Sequence, residues 1–234
     1  MQKPRQAAVT GLVVCTIAAA TALMVFGKDF WIAKPYSAWN EQEVLTVLRN
    51  SPWSWTTSIP GNYGGSAVPS LMGGGARATA TSGGLGGSNS LPMYVRWHSS
   101  MKVRQALARY SQLRGALPEP EIQRFLAQPM PDYTIAVSCQ VMDPFAVATF
   151  ESLTPHTFLT SKKSKEKKIR LKAYSSPAAQ GGNFALFMFP RELDGRPAIE
   201  IADEEIVFST QIGTLKIRAP FNLARMMIDG APDL

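Results

Sequence analysis

The chain has 234 residues, 45% of them hydrophobic and 18% charged, which suffices for one ordinary core. Its 24 Lys and Arg against 17 Asp and Glu give a formal charge of +7, a balance that favours anionic surfaces without naming one. Of its two cysteines one lies in an apolar leader, so an intramolecular disulfide is excluded once the leader is set aside.

Lys3 and Arg5 precede an uncharged stretch at residues 7–27, which at about 21 residues reaches the length that spans a bilayer. A basic start followed by an apolar run is the layout of a secretory signal, with the cationic end held in the cytoplasm. Ala20 with Ala22, or Val25 with Gly27, offer imperfect cleavage sites. The run is also long enough for an uncleaved signal anchor, and both readings stay open. Lipid attachment at Cys15 fits less well, because Val14 precedes it and the apolar run continues to Phe26. Cleavage after Gly27 leaves 22 bases against 17 acids. Phospholipid headgroups and envelope polysaccharides suit such a surface, whereas export argues against nucleic acid.

Residues 28–60 read as an aromatic-rich extension carrying Trp31, Tyr36, Trp39, Trp53 and Trp55. Asn40 is placed to cap a short helix with Val44, Leu45, Val47 and Leu48 on its apolar side. Asn50, Ser51 and Pro52 stop that helix, and a short strand through Trp53 and Trp55 runs on to Pro60. The piece is too small to fold alone, so its tryptophans are expected to staple it to the rest, with an exposed aromatic surface as the alternative.

Residues 61–91 hold ten of the eighteen glycines, with Arg77 as the only charge. That composition predicts a flexible loop. Gly73, Gly74 and Gly75 are not followed by Gly-Lys-Ser/Thr, so a phosphate-cradling loop is rejected.

The main domain is expected over residues 92–234. A strand at 93–97 leads to a helix capped by Ser99 or Ser100, with Val103, Ala106, Leu107, Tyr110 and Leu113 on its buried face. Lys102, Arg104, Arg109 and Arg114 form its polar face. Pro118 opens a second helix around Ile122, Phe125 and Leu126. The alternation of Tyr133, Ile135, Val137, Cys139 and Val141 predicts a strand that buries that set, Cys139 included. Asp143-Pro144 starts a third helix bearing Phe145, Val147, Phe150 and Leu153. Strands follow at 169–174, 184–189, 205–212 and 215–218, with turns at Asp194-Gly195 and Gly213. The expected architecture is α+β, an antiparallel sheet with about three helices packed on one side.

Candidate chemistry is sparse. His98 and His156 occur without His-x-x-x-His or Cys-x-x-Cys spacing and without a Gly-x-Ser-x-Gly elbow, so neither a metal nor a nucleophile motif is readable. No cofactor is expected. Asp203, Glu204 and Glu205 read as a solvated turn. Lys162, Lys163, Lys165, Lys167 and Lys168 form a basic run that flows into a strand adding Arg170 and Lys172, and Lys216 and Arg218 lie on the last strand. If these faces coincide they make one patch for anionic lipid or polysaccharide. The alternative is a solubilising loop and an edge strand protected by lysines. No aromatic residues for stacking bases are interleaved with them.

Lys34-Pro35-Tyr36, Trp39, Glu43-Val44, Val47-Leu48 and Ser51-Pro52-Trp53 resemble the opening of a group of uncharacterised exported proteins of acidobacteria. Some of those relatives carry a separate Gly-Trp-x-Thr-Asp domain, whose signature is absent here. The resemblance is strongest over about twenty residues, is looser at 93–107 and in the C-terminal strands, and implies an envelope location without any activity or site residue. The expectation is therefore a non-enzymatic exported envelope protein that binds a partner protein or an anionic envelope component, held in the periplasm and anchored through residues 7–27 if these are uncleaved. The alternative is a periplasmic hydrolase without a locally readable motif, using His98 or His156 as base.

Overall fold

A computed structural model of the chain describes residues 30–60, 90–164, 167–181 and 183–234. The leader at 1–27 and nearly all of the glycine-rich stretch lie outside the described residues. Among the described residues no helix is long and apolar enough to cross a membrane.

After α1 (Phe30–Ala33) and a 3-10 turn, Asn40 opens α2 (Glu41–Arg49). The Asn40 side chain accepts from Glu43 N at 2.9 Å, and Glu43 Oε2 accepts from Asn40 N at 2.8 Å, a reciprocal capping box. Lys34 Nζ lies 2.7 Å from the Glu43 carboxylate. Burial pushes the Glu43 carboxyl up, but the hydrogen bonds from Lys34 and Asn40 outweigh it and hold the pKa below the usual value. Val44, Val47 and Leu48 are buried, and so are Trp31, Trp39 and Trp53. The tryptophans are therefore staples rather than an exposed surface, with Trp55 half-buried. Trp39 Nε1 donates to Lys34 O, and Trp31 meets Trp53 edge-on at 5.6 Å.

Strand β1 (Ser54–Pro60) pairs along its whole length with β2 (Ser90–Trp97), from Ser54↔Arg96 to Pro60↔Ser90. β2 thus starts three residues earlier than its apolar alternation suggested, taking Ser90 and Leu91 from the expected loop. Ser100 then caps α3 (Met101–Leu113), and α4 (Glu119–Ala127) follows. Arg104 is buried rather than on the polar face of α3. Its Nη2 donates to Phe125 O and its guanidinium lies 5.1 Å over the Phe125 ring, which ties α3 to α4.

Beyond β3 (Asp132–Cys139), the third expected helix is two short ones, α5 (Asp143–Val147) and α6 (Phe150–Leu153). Thr149 takes extended backbone and caps α6 with its hydroxyl, breaking the helix between them. Val147 and Phe150, expected on an apolar side, are exposed in consequence. The remaining strands are β4 (Phe158–Ser161), β5 (Lys168–Arg170), β6 (Ala173–Ser175), β7 (Ala185–Pro190), β8 (Glu192–Leu193), β9 (Arg196–Pro197), β10 (Glu205–Ile212), β11 (Leu215–Asn222), β12 (Met227–Ile228) and β13 (Ala231–Pro232).

The fold is α+β with antiparallel sheets, and the single expected sheet is in fact two. One has the order β1-β2-β3-β7-β6, the other β11-β10-β4-β5, with β8–β9 and β12–β13 as separate ribbons. Aromatic rings join the two large sheets: Trp97 meets Phe221 at 5.3 Å, and Phe208 meets Phe187 at 5.2 Å and Phe189 at 6.1 Å. Such edge-on pairs add about 0.5–1.5 kcal/mol each beyond the area they bury. The strand expected at 169–174 changes sheet midway. β5 ends at Arg170, Leu171 is buried, and Lys172 N donates to Met188 O as the chain joins β7. On β3, Thr134 and Ala136 are buried as well as Tyr133, Ile135 and Val137. Cys139 is only half-buried at its end, with Sγ donating to Val141 O and burial pushing the thiol pKa up. A thiolate at neutral pH is thereby disfavoured.

Asp229-Gly230 carries positive φ at both positions (50° and 84°), which turns β12 into β13 and aims Asp233 back at the start of α3. Its carboxylate accepts from Ser100 Oγ at 2.6 Å, Met101 N at 2.7 Å and Lys102 N at 2.9 Å. Trp53 Nε1 donates to Asp233 O, and Arg191 Nη2 donates to Leu234 O. Replacing Asp233 with Ala removes an anion from a helix N-terminus and leaves its first donors without that acceptor, so stability should fall by about 2 kcal/mol. Urea unfolding checks this; a change within about 0.5 kcal/mol would mean that water substitutes for the carboxylate.

Candidate functional site

The basic run begins where β4 ends. Ser161 Oγ accepts from Lys163 N and Ser164 N, both at 3.2 Å, and so bends the chain back toward β5. Because β4 lies beside β10, this bend sits next to the acidic residues that start β10. Lys162 Nζ is 4.0 Å from Glu205, Lys163 Nζ 3.7 Å from Glu204, and Lys167 Nζ 3.2 Å from Asp203. Asp203 is buried, and its Oδ2 also accepts from Glu200 N at 2.9 Å. Lys172, on the other sheet, pairs with Asp132 at 2.7 Å. The two charge clusters of the sequence therefore face each other. The exposed pairs are worth about 0–1 kcal/mol each, so their effect is mainly to lower the local field. Lys165 lies outside the described residues.

Lys168 and Arg170 behave differently. Ile169 between them is buried against the core, so both project from the outer face of the β11-β10-β4-β5 sheet. On β11, Leu215, Ile217, Ala219 and Phe221 are buried, and Lys216 and Arg218 point outward. The register aligns Arg170, Phe158, Ser209 and Arg218 in one row across four strands. Lys168, Thr160, Val207 and Pro220 make the next row, and Lys216 stands opposite Gln211. The two basic strands are the opposite edges of the sheet, about 14 Å apart, yet they share one face. Lys168 Nζ lies 5.0 Å over the Phe158 ring. Among the described residues none of Lys168, Arg170, Lys216 and Arg218 has an ion-pair partner.

His156 is exposed after α6. His98 is half-buried at the end of β2, 5.9 Å from the Phe184 ring. Burial, then the charges of Arg96 and Arg104, push its pKa down to about 4. A general base works best with a pKa near the working pH, which this imidazole lacks. Among the described residues no group of three or more His, Cys, Asp and Glu side chains is arranged to hold a metal ion. An open polar cleft of about 400 Å³ lies between the start of β1 and the ends of β10 and β11, lined among others by Asn50, Trp55, Glu205, Asn222 and Arg225. Its hydroxyls, Ser51 and Ser54, both donate to Val47 O, and Glu205 pairs with Lys162.

The depressed His98 pKa has a sign that can be tested. The unfolded chain takes up a proton at this side chain near pH 6.5, whereas the folded chain does so only near 4. Between those values the unfolded state binds more protons, so acidification through this window destabilises the fold. In a His98→Gln protein the loss of stability between pH 6.5 and 4 should be smaller than in the parent; equal losses, read by urea unfolding at each pH, would refute the buried neutral imidazole.

No family model matches the chain, and neither a curated protein nor a solved structure matches it.

Proposed function

We propose that this chain is an exported envelope protein that acts as a non-enzymatic binding module, and that it meets an anionic envelope component through the outer face of the β11-β10-β4-β5 sheet. The single observation that carries the reading is the register that puts Lys168, Arg170, Lys216 and Arg218 on one face with no described acid paired to them. Four cations on a firm antiparallel sheet offer fixed charge at low ordering cost, and each contributes about 1 kcal/mol near an anionic surface. The leader supplies the route to the envelope, either as a cleaved signal or as an anchor through residues 7–27. Lys162, Lys163 and Lys167 then have a structural part, holding the β4–β5 connection against Asp203, Glu204 and Glu205.

This division of labour separates two sets of variants. In low salt, the full chain in nonionic detergent should bind micelles doped with anionic phospholipid, or an anionic polysaccharide, through the sheet face. Changing Lys168, Arg170, Lys216 and Arg218 together to Gln should weaken that binding on the order of 10²–10³-fold, and added salt should erase the difference. Changing Lys162, Lys163 and Lys167 to Gln should weaken it far less. Equal effects of the two sets, or unchanged binding with the first, would remove the sheet face from consideration. Stoichiometric recovery of one envelope protein after cross-linking, insensitive to either set, would shift the reading to a protein partner.

A further inference from the structure

The other large sheet carries a second cationic feature, on the side of β2 that faces away from the aromatic core. Met93, Val95 and Trp97 are buried, so Tyr94 and Arg96 project from the opposite face. Tyr94 stands between Thr56 and Ser138, and Arg96 between Ser54 and Ala136. Arg96 Nη2 donates to Ser138 Oγ at 2.6 Å. Its Nε is buried and makes no hydrogen bond to the described residues. Arg49, at the end of α2, lies over the Tyr94 ring with Cζ 5.4 Å from the centroid, which brings a second guanidinium to the same patch. The helix end is fixed there by Ser54 Oγ on Val47 O at 2.8 Å and by Thr56 Oγ1 on Arg49 O at 2.6 Å.

Neither arginine has an ion pair among the described residues. Arg191 is better provided for, donating to Met130 O and Leu234 O while lying over Tyr133, whereas Arg104 meets the Phe125 carbonyl and ring but also keeps a buried Nε without a described acceptor. Burial and then the charge of Arg49 bring the Arg96 pKa down to about 10, against a smaller opposite pull from Tyr94, which is the electrostatics of two cations short of an anion. A guanidinium fork matches the oxygens of a carboxylate or a phosphate, and an unmet buried N–H gains most from such an acceptor.

We propose that Arg49 and Arg96, with Ser138 and the Tyr94 ring beside them, form a binding site for a single oxyanion group, a carboxylate or a phosphate. Arg96 is the anchor, held by Ser138, whose own hydroxyl proton is left to donate to the anion. Arg49 closes over the ligand from α2. The site is separate from the lysine-bearing sheet face and does not depend on it.

The test follows the arginine Nε–H resonances of the full chain in nonionic detergent during titration with inorganic phosphate or with acetate, chloride being exchanged to hold ionic strength constant. The Arg96 Nε–H signal should shift saturably with at least one of the two anions. An Arg49→Gln protein, altered at an exposed position, should bind at least tenfold more weakly. An Arg96→Lys protein, which keeps the charge and loses the fork, should lose saturation. Saturation by phosphate alone assigns a phosphate ligand, saturation by acetate alone a carboxylate, and saturation by both a general oxyanion site. A linear drift with both anions, or an identical curve in Arg49→Gln, overturns the proposal.

Discussion

The carboxylate of Asp233 governs how the elements of this chain come together. It occupies the N-terminus of α3, where backbone N–H groups point outward without helical partners and an anion is favoured by the aligned peptide dipoles. The same residue's carbonyl takes the Trp53 indole, its N–H donates to Met226 O, and the neighbouring Leu234 carbonyl takes Arg191. One short stretch therefore joins the lead-in to β1, the start of the central helix, the turn after β11 and the loop after β7. Helix α3 in turn carries α4 through Arg104 and holds the 3-10 turn through Arg109 Nε on Trp39 O.

Charge is used in two distinct ways. Lysines of the β4–β5 connection meet a run of acids across the sheet, and the pairing shapes a loop at little energetic gain. Buried arginines instead meet carbonyls and rings, because a flat guanidinium loses less on leaving water than an ammonium does. Arg96 has no ion pair among the described residues, and neither have the outward cations of β5 and β11, of which Lys168 lies over the Phe158 ring. A residue whose charge has no internal purpose is where a surface becomes available to something else.

Much of the local structure was legible from short-range chemistry. Asn40 marked one helix start and the pair Ser99-Ser100 another, where Ser100 proves to be the cap, because such side chains satisfy donors three residues on. Gly213 marked a hairpin and Asp194-Gly195 a turn because positive φ is cheap there. The second Asp-Gly pair, at 229–230, carries the same signal and leads to the Asp233 contact, but nothing near it in sequence says that its target lies over a hundred residues upstream. The division into two sheets was illegible for a different reason: an alternating run has the same period whether it stays in one sheet or crosses to another at Leu171. The break between α5 and α6 lay in a competition between Thr149 as a cap and Thr149 as a helical residue. The Arg49–Arg96 patch needed the pairing of strands on either side of the glycine-rich stretch. In the stretch from Lys34 to Trp53 several residues have packing or capping partners, Lys34 on Glu43, Trp39 on Arg109 and Ser51 on Val47 among them, so its pattern records how this part folds.

The pairing of Pro60 with Ser90 has a consequence for how the gene can change. The chain leaves β1 and re-enters β2 at directly opposed positions, about 5 Å apart. The width of that gate is set by the strand pairing, and for any insert without structure of its own a doubling of length costs only about 0.6 kcal/mol of closure entropy. Insertions, deletions or a grafted module at this point leave seven opposed residue pairs untouched. The same seven pairs would let two separately expressed halves, divided there, recognise each other by strand complementation.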